Sequence, residues 1–282
     1  MEEYFQVAAF ERIVSRHEWG TYPSRIERTI ETLLDLLALY GATGTFFTLG
    51  WIADRYPFLV RRIHDAGHEV ASHGYWHRRV DTLSVREFRD DVRASKAVLE
   101  HACGAPVTGF RAPNFSIKPG GEWAFDVLLE EGYRYDSSLF PIRRPGYGYP
   151  SAPPVPHLIH RASGSICELP PATTTWRGIR IPAAGGAYLR HFPFAIIRRA
   201  FAEHSANGIP ATLYIHPWEL DPEQPRMNVP FPTRLRHYGG LARTIPRLRR
   251  LLSEFRFTSA ACALKLEAPL QPLAAKVSNA AD

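Results

Sequence analysis

Thr43-Gly-Thr-Phe-Phe-Thr-Leu49 is short, β-rich and apolar, and a Pro-led helical stretch from about Pro57 to Asp65 separates it from Glu69-Val-Ala-Ser72. A run that is apolar on both faces reads as a buried parallel strand, and a strand-helix-strand order supplies the crossover that a parallel pair requires. The pattern extends in both directions. Upstream, Ser24-Arg-Ile-Glu27 reads as a capping box opening an amphipathic helix with Ile26, Ile30, Leu33, Leu34 and Leu37 at helical spacing and Gly41 as its stop. Downstream, Ser84-Val-Arg-Glu87 caps a helix to about His101, Val107 to Phe110 reads as a strand, and Glu122 to Glu131 reads as a helix closed by Gly132. Residues 141 to 164, rich in proline and glycine, read as a long surface loop before strand-like Ile166-Cys-Glu-Leu169. Phe194 to Ala206, Ala211 to Ile215 and Leu241 to Phe255 then supply helix, strand and helix.

Repeated strand-helix units imply a parallel sheet with functional residues on the loops at its C-terminal strand ends. With 282 residues and 45% hydrophobic content, the chain can bury a large core, and its length suits one α/β barrel as well as two small domains. No apolar run approaches the roughly 18–20 residues that cross a bilayer. The opening Met1-Glu-Glu-Tyr-Phe lacks a basic segment followed by an apolar one, so no export signal is read and a cytoplasmic location, at most at the inner-membrane face, is expected. Cys103, Cys167 and Cys262 lie far apart without CxxC spacing, so neither a disulfide framework nor a cysteine zinc site is suggested. The net charge of +6 is largely arginine, clustered at Arg143-Arg144, Arg198-Arg199 and Arg234 to Arg250. No nucleic-acid recognition motif accompanies that charge, and no nucleic-acid partner is expected.

His73 and His77, in His68-Glu-Val-Ala-Ser-His-Gly-Tyr-Trp-His77, are two imidazoles four residues apart. A helical turn after Ser72 would place them on one face, about 5–6 Å apart at Cβ, within reach of one metal ion. Histidines with a single carboxylate and open positions suit a metal that also carries a reactive water. Phe110-Arg-Ala-Pro-Asn114, Asp136-Ser-Ser138 and Leu213-Tyr-Ile-His-Pro-Trp-Glu219 also fall at expected strand ends. By residue type alone, Arg111 serves equally as an ion-pair arginine, Asp136 as a turn-starting aspartate and His216 as a core histidine.

The ordered set of Thr45-Phe-Phe-Thr-Leu-Gly50, His68 to His77, Phe110 to Pro113, Tyr135-Asp-Ser-Ser138, Gly185-Gly-Ala-Tyr-Leu-Arg190 and His216-Pro-Trp-Glu219 through Arg226 resembles the polysaccharide deacetylases, carbohydrate esterases of the chitin-oligosaccharide deacetylase type. Within them it looks most like the subgroup encoded with exopolysaccharide genes in bacteria that have the exosortase sorting system. The resemblance implies an α/β fold, a distorted (β/α) barrel forming a single domain over residues 1–262, with residues 263–282 as a poorly ordered tail. It implies His73 and His77 as metal ligands, with Glu2 as the carboxylate by strand alternation and Glu3 as the alternative. It further implies His216 as the acid that protonates the departing amine, Arg111 as holder of the catalytic carboxylate and Asp136 as the group orienting His216. Pro113, Tyr188 and Trp218 become candidate substrate contacts, with Trp123 either a groove wall or packing. The expected cofactor is a divalent metal, Zn²⁺ foremost, and the expected partner an N-acetylated polysaccharide or oligosaccharide.

The family pattern opens with an aspartate base two residues before the metal carboxylate, as Asp-Val-Glu-Glu-Tyr-Phe, whereas here Met1 stands at the valine position. The expectation is therefore a start upstream of Met1, with the first barrel strand truncated in the chain as given. Two other functions stay open at this level: a catalytically silent glycan-binding protein and an amidase acting on a small C–N substrate.

Overall fold

A computed structural model describes residues 1–144 and 146–266. The order of elements is α1 (Ile26–Leu39), β1 (Thr45–Thr48), α2 (Gly50–Arg55), α3 (Pro57–Asp65), β2 (Glu69–Ser72), α4 (Val85–Cys103), β3 (Gly109–Phe110), α5 (Trp123–Glu130) and β4 (Tyr135–Asp136). It continues with β5 (His157–Arg161), β6 (Gly164–Glu168), β7 (Thr173–Trp176), β8 (Ile179–Pro182), α6 (Gly186–His191), α7 (Phe194–Ala206), α8 (Phe231–Tyr238), α9 (Thr244–Glu254) and α10 (Ala260–Ala263).

Six strands form one sheet in the order β1-β2-β3-β4-β6-β5. Its first five strands in that order are parallel, and β5 pairs antiparallel with β6 at the edge. The βα alternation read from the sequence is present, and no strand among the described residues closes the sheet into a complete barrel. Beside β1's free edge, the Met1 amino group donates to Phe47 O and Leu49 N donates to Met1 O at 3.3 Å. One residue therefore pairs where a flanking strand would lie, before the chain turns away into a 3-10 turn at Ala8–Phe10.

The register decides where chemistry can occur. Thr48, Ser72, Phe110, Asp136 and Glu168 are successive cross-strand partners, a single row at the C-terminal ends of five strands. The residues that follow, His73, Arg111, Ser137 and Leu169, leave the sheet side by side, which is where open α/β sheets hold ligands. Helices cover the sheet as their apolar spacing requires: Ile26 and Ile30 of α1, Leu59 and Ile63 of α3, and Phe88, Val92 and Leu99 of α4 are all buried in one core. A second core gathers Ile197 and Phe201 of α7 with Leu189, Phe140 and Leu251.

Three local expectations are corrected. Ser24 does not cap α1; its hydroxyl donates to the Glu3 carboxylate, and that carboxylate accepts from Arg25 N at 3.1 Å and Ile26 N at 3.2 Å, capping the helix from outside it. The Ser84 capping box on α4 does form, with Ser84 N donating to Glu87 Oε2 at 2.9 Å. Residues 141–164 are not loop throughout, because β5 lies within them as an edge strand. The segment Ala211 to Ile215 is extended but not a ladder strand: only Thr212 has a backbone neighbour, a parallel bridge to Pro171. At the head of the expected tail, Leu264 N and Leu266 N donate to Ala260 O and Ala261 O at 2.9 and 2.8 Å; residues 267–282 lie outside the described residues.

Candidate metal centre

Beyond Ser72 the chain does not become helical, so the premise by which His73 and His77 were paired is replaced by a loop. Gly74 at φ +73° and His77 at φ +54° bend it through left-handed backbone. Gly74 has no room for a side chain, since a Cβ there would meet Asp91 Oδ2 at 2.7 Å. Asp91, buried on α4, accepts from Tyr75 N at 2.9 Å and Trp76 N at 3.4 Å, and Ser95 Oγ donates to Gly74 O at 3.0 Å. Buried backbone groups of a loop must find partners somewhere, and here α4 provides them. The loop brings the two imidazoles to a centroid separation of 5.3 Å.

Glu2 joins them. Its Oε2 lies 3.0 Å from His77 Nε2, Trp218 Nε1 donates to its Oε1 at 3.4 Å, and His216 Nε2 stands 3.9 Å from that same oxygen. Donor atoms of Glu2, His73 and His77 all fall within 4.8 Å of one another, and all three residues are buried. Glu3, the alternative carboxylate, is occupied at the α1 cap.

The donor set fits a divalent cation. His73 Nδ1 donates to Arg111 O at 2.6 Å, which fixes the tautomer and leaves Nε2 for a ligand bond. His77 Nδ1 is buried without a hydrogen-bond partner among the described residues, an arrangement that costs free energy unless a cation meets it. Burial alone would raise the Glu2 carboxyl, but His77, followed by His216 and His73, holds it well below the usual carboxylate range. Burial, then the neighbouring His77, pushes His73 well down, so it stays neutral as a metal ligand must.

His216 begins a 3-10 turn and keeps 35% of its side chain open. Its Nδ1 donates to Glu219 Oε2 at 3.3 Å, and its backbone N donates to the same oxygen at 2.9 Å. Burial lowers its basicity, but the Glu219 hydrogen bond and the charges of Glu2 and Glu219 outweigh burial and raise it. Glu219 is fully enclosed and ion-paired to the equally buried Arg190, whose remaining donors reach Gly239 O, Arg236 O and His237 O at 3.1–3.3 Å. This explains the Gly185-Gly186 pair: a Cβ at Gly186 would sit 1.8 Å from Glu219 Oε2, and one at Gly185 would sit 2.5 Å from the Tyr214 ring.

The structure redistributes several predicted roles. Asp136 does not orient His216; its oxygens accept from Ser138 N at 2.8 Å and Ser138 Oγ at 2.6 Å. Glu168 stands beside it in the same enclosed place, its carboxyl driven well up by burial and then by the Asp136 charge. The orienting acid is Glu219, whose signal was the three-residue spacing from His216 in a turn. Arg111 lies over the Phe47 ring at 4.2 Å, with Nε and Nη2 donating to Ser137 O at 3.1 Å and Ser137 Oγ at 2.7 Å, and burial brings its guanidinium down to about 10. Pro113 is not on the cavity wall; it is buried at the start of a turn whose Asn114 and Phe115 line the cavity instead. Trp218 also lines the cavity, stacked with the rings of His216 and His237 at 5.3 and 4.2 Å and with only 7% of its surface exposed. Tyr188 does line the cavity, its hydroxyl bonded to Tyr147 at 2.8 Å. Trp123 packs edge-on against Phe88 at 5.6 Å, away from both cavities.

This geometry meets an independent finding. Residues 19–121 match the family model for polysaccharide deacetylase, and residues 137–265 match a domain of unknown function, DUF3473. Residues 19–121 form a polysaccharide deacetylase domain. It is 30% identical over 115 residues to a peptidoglycan deacetylase of Helicobacter pylori, a match that covers 39% of this chain and 36% of that one. It is 35% identical over 97 residues to a chitooligosaccharide deacetylase of Sinorhizobium fredii, covering 34% of this chain and 42% of that one. The matched stretch thus spans less than half the length of these curated relatives. The fold is shared with a Mycobacterium smegmatis protein assigned as a polysaccharide deacetylase, at TM-score 0.57 and 24% identity, covering 80% of this chain and 70% of that one. It is shared equally with the PuuE allantoinase, at TM-score 0.58 and 17% identity, covering 91% and 76%. The deacetylase domain match holds His73, His77 and Arg111, the second match holds His216 and Glu219, and Glu2 lies outside both.

Proposed function

We propose that this chain is a metal-dependent hydrolase that removes N-acetyl groups from amino sugars of a bacterial polysaccharide, with an exopolysaccharide as the substrate and Zn²⁺ as the ion. The observation that carries the reading is the meeting of Glu2, His73 and His77 with His216 at 3.9 Å from Glu2, a cation site beside an imidazole held as an acid.

Glu2, His73 and His77 would hold the ion, which when bound lowers the pKa of a water toward neutrality and polarises an amide carbonyl. The rest is done by the chain. The Arg111 carbonyl orients His73. Glu219 orients His216 through Nδ1, leaves Nε2 directed toward Glu2 and raises the basicity of the ring. A protonated Nε2 can then deliver its proton to the nitrogen of the breaking C–N bond, because an amine departs readily only when protonated. Arg190 holds Glu219 ionised inside the protein, with its guanidinium charge offsetting the effect of burial.

Metal content and acetate release from N-acetylglucosamine oligomers test the proposal together. Zinc bound near one per chain and lost in His73→Ala, with acetate release lost in both His73→Ala and His216→Ala, is the expected result. A chain that binds oligomers but releases no acetate with zinc, cobalt or nickel present is a glycan binder instead.

A further inference from the structure

Two cavities meet at the metal centre. One, of about 1020 Å³, is lined by Trp19, Trp51 and Trp76 with Arg12, Arg16 and Arg55. The other, of about 700 Å³, is lined by Tyr147, Tyr188, Arg144 and Arg236 as well as the metal triad. Val7 and His77 belong to both walls, so the cavities adjoin as the two halves of a trough, with one candidate metal ligand, His77, at the junction.

The arginines along this trough are of two kinds. Arg78 pairs with Glu87, Arg79 with Asp81 and Arg190 with Glu219. Arg12, Arg16, Arg55, Arg144 and Arg236 have no acidic ion-pair partner among the described residues. Arg16 Nε donates to Trp76 O at 2.9 Å, Arg55 lies over Trp51 at 5.5 Å, and Arg144 Nε donates to Tyr188 OH at 3.3 Å, contacts that aim these cations without neutralising them. Of the two acids on the first wall, Glu18 accepts from Ser15 N at 3.0 Å and Glu11 is exposed. Those on the second, Glu2 and Glu219, are committed to the imidazoles. Trp76 keeps 39% of its surface exposed and leans on Trp19 at 6.2 Å, which offers an aromatic face for the apolar side of a sugar ring.

We infer that the polymer this trough holds is an anionic glycan, in which sugars bearing carboxylate or phosphate groups flank the N-acetylated sugar on both sides of the metal centre. Guanidinium groups recognise such oxyanions by paired hydrogen bonds, and a cleft lined by one sign of charge concentrates its partner. The inference takes its reaction from the proposed deacetylase function, while the binding stands on the trough alone.

Four ligands of equal length test it: a neutral N-acetylglucosamine hexamer, a hexamer alternating N-acetylglucosamine with glucuronate, a hexamer bearing phosphate on alternate sugars, and a hexanucleotide. Affinity is measured on the His73→Ala protein and kcat/KM on the wild type. An anionic hexamer should be preferred over the neutral one by about tenfold at low salt, and the preference should shrink toward unity near roughly 0.5 M salt. The carboxylate and phosphate arms identify which anion is recognised. Arg12→Gln and Arg236→Gln, one from each side of the junction, should each cut the preference roughly threefold. Arg249→Gln, an exposed arginine on α9 outside both walls, should leave it unchanged. Equal affinity for neutral and anionic hexamers, or a hexanucleotide bound as tightly as either glycan, overturns the inference. Acetate released from the neutral hexamer without any anionic preference leaves the deacetylase standing and removes the anionic substrate. Preferential binding without acetate release from any hexamer does the reverse.

Discussion

The two sides of the site are built by different means. His73 and Arg111 issue from neighbouring parallel strands, and the backbone register places them before any side chain is considered. His216 has no such support: it follows an extended segment with one backbone bridge, and its position depends on a buried Arg190–Glu219 ion pair threaded past Gly186. A ladder tolerates the loss of a side chain better than a buried charge tolerates the loss of its partner. The metal side should therefore lose function without losing its fold, whereas the acid side should lose both.

The largest expected effect sharpens that contrast in activity. His73→Ala should cost about 10³-fold or more in kcat/KM, through loss of the bound ion, with little change in the far-UV spectrum or in urea unfolding. A urea midpoint that drops along with the activity would show the two sides to be alike. Glu219→Ala should strike harder at folding: it strands the Arg190 charge at a site with no measurable exposure, at a cost of about 3–5 kcal/mol. Glu219→Gln, which keeps the shape and loses the charge, should still cost about 10²-fold in kcat by releasing His216 from its orientation and its raised pKa.

A third test uses pH. Burial, helped by the Arg190 charge, brings His237 from its ordinary 6.5 down to about 3, and the ring stacks on Trp218. Between those values the unfolded chain binds a proton that the folded chain refuses, so stability should fall as pH drops below about 6.5. At pH 5 the loss should be about 2 kcal/mol from this group alone, and His73, also pushed down, adds to it in the same direction. Urea unfolding at pH 7 and pH 5 should show a smaller difference in His237→Gln than in the wild type; an equal difference would assign the acid sensitivity elsewhere. The smallest expected effect is at the α1 cap. Glu3→Gln should cost about 1 kcal/mol, and no more than a few-fold in activity, because Glu3 faces the helix amides and not the cation site.

Much of this protein can be read without coordinates. The helices beginning at Pro57, Val85 and Phe194 and the strand Glu69–Ser72 follow from local rules, since apolar period, a Pro at the first turn and a Ser-x-x-Glu box act over a few residues. His73 and His77 could be picked out because they share a short motif that begins at a strand end, whereas His216, which follows a segment outside the sheet, was legible only through the family resemblance. Asp91 could not be picked out, for it is one acid among many on an amphipathic helix, and only folding brings it under the amides of the metal loop. Ser24 shows the same limit from the other side: its box was legible, yet a more distant carboxylate took the cap.

What the chain dictated by itself was its alternation of strand and helix and the residue types available for chemistry, because those depend on neighbours in sequence. Which acid serves which imidazole and why two adjacent glycines are required were decided only in three dimensions. Those questions turn on the free energy of burying charge, and burial depends on segments as far apart in sequence as Glu2 and Trp218 meeting at one end of a sheet.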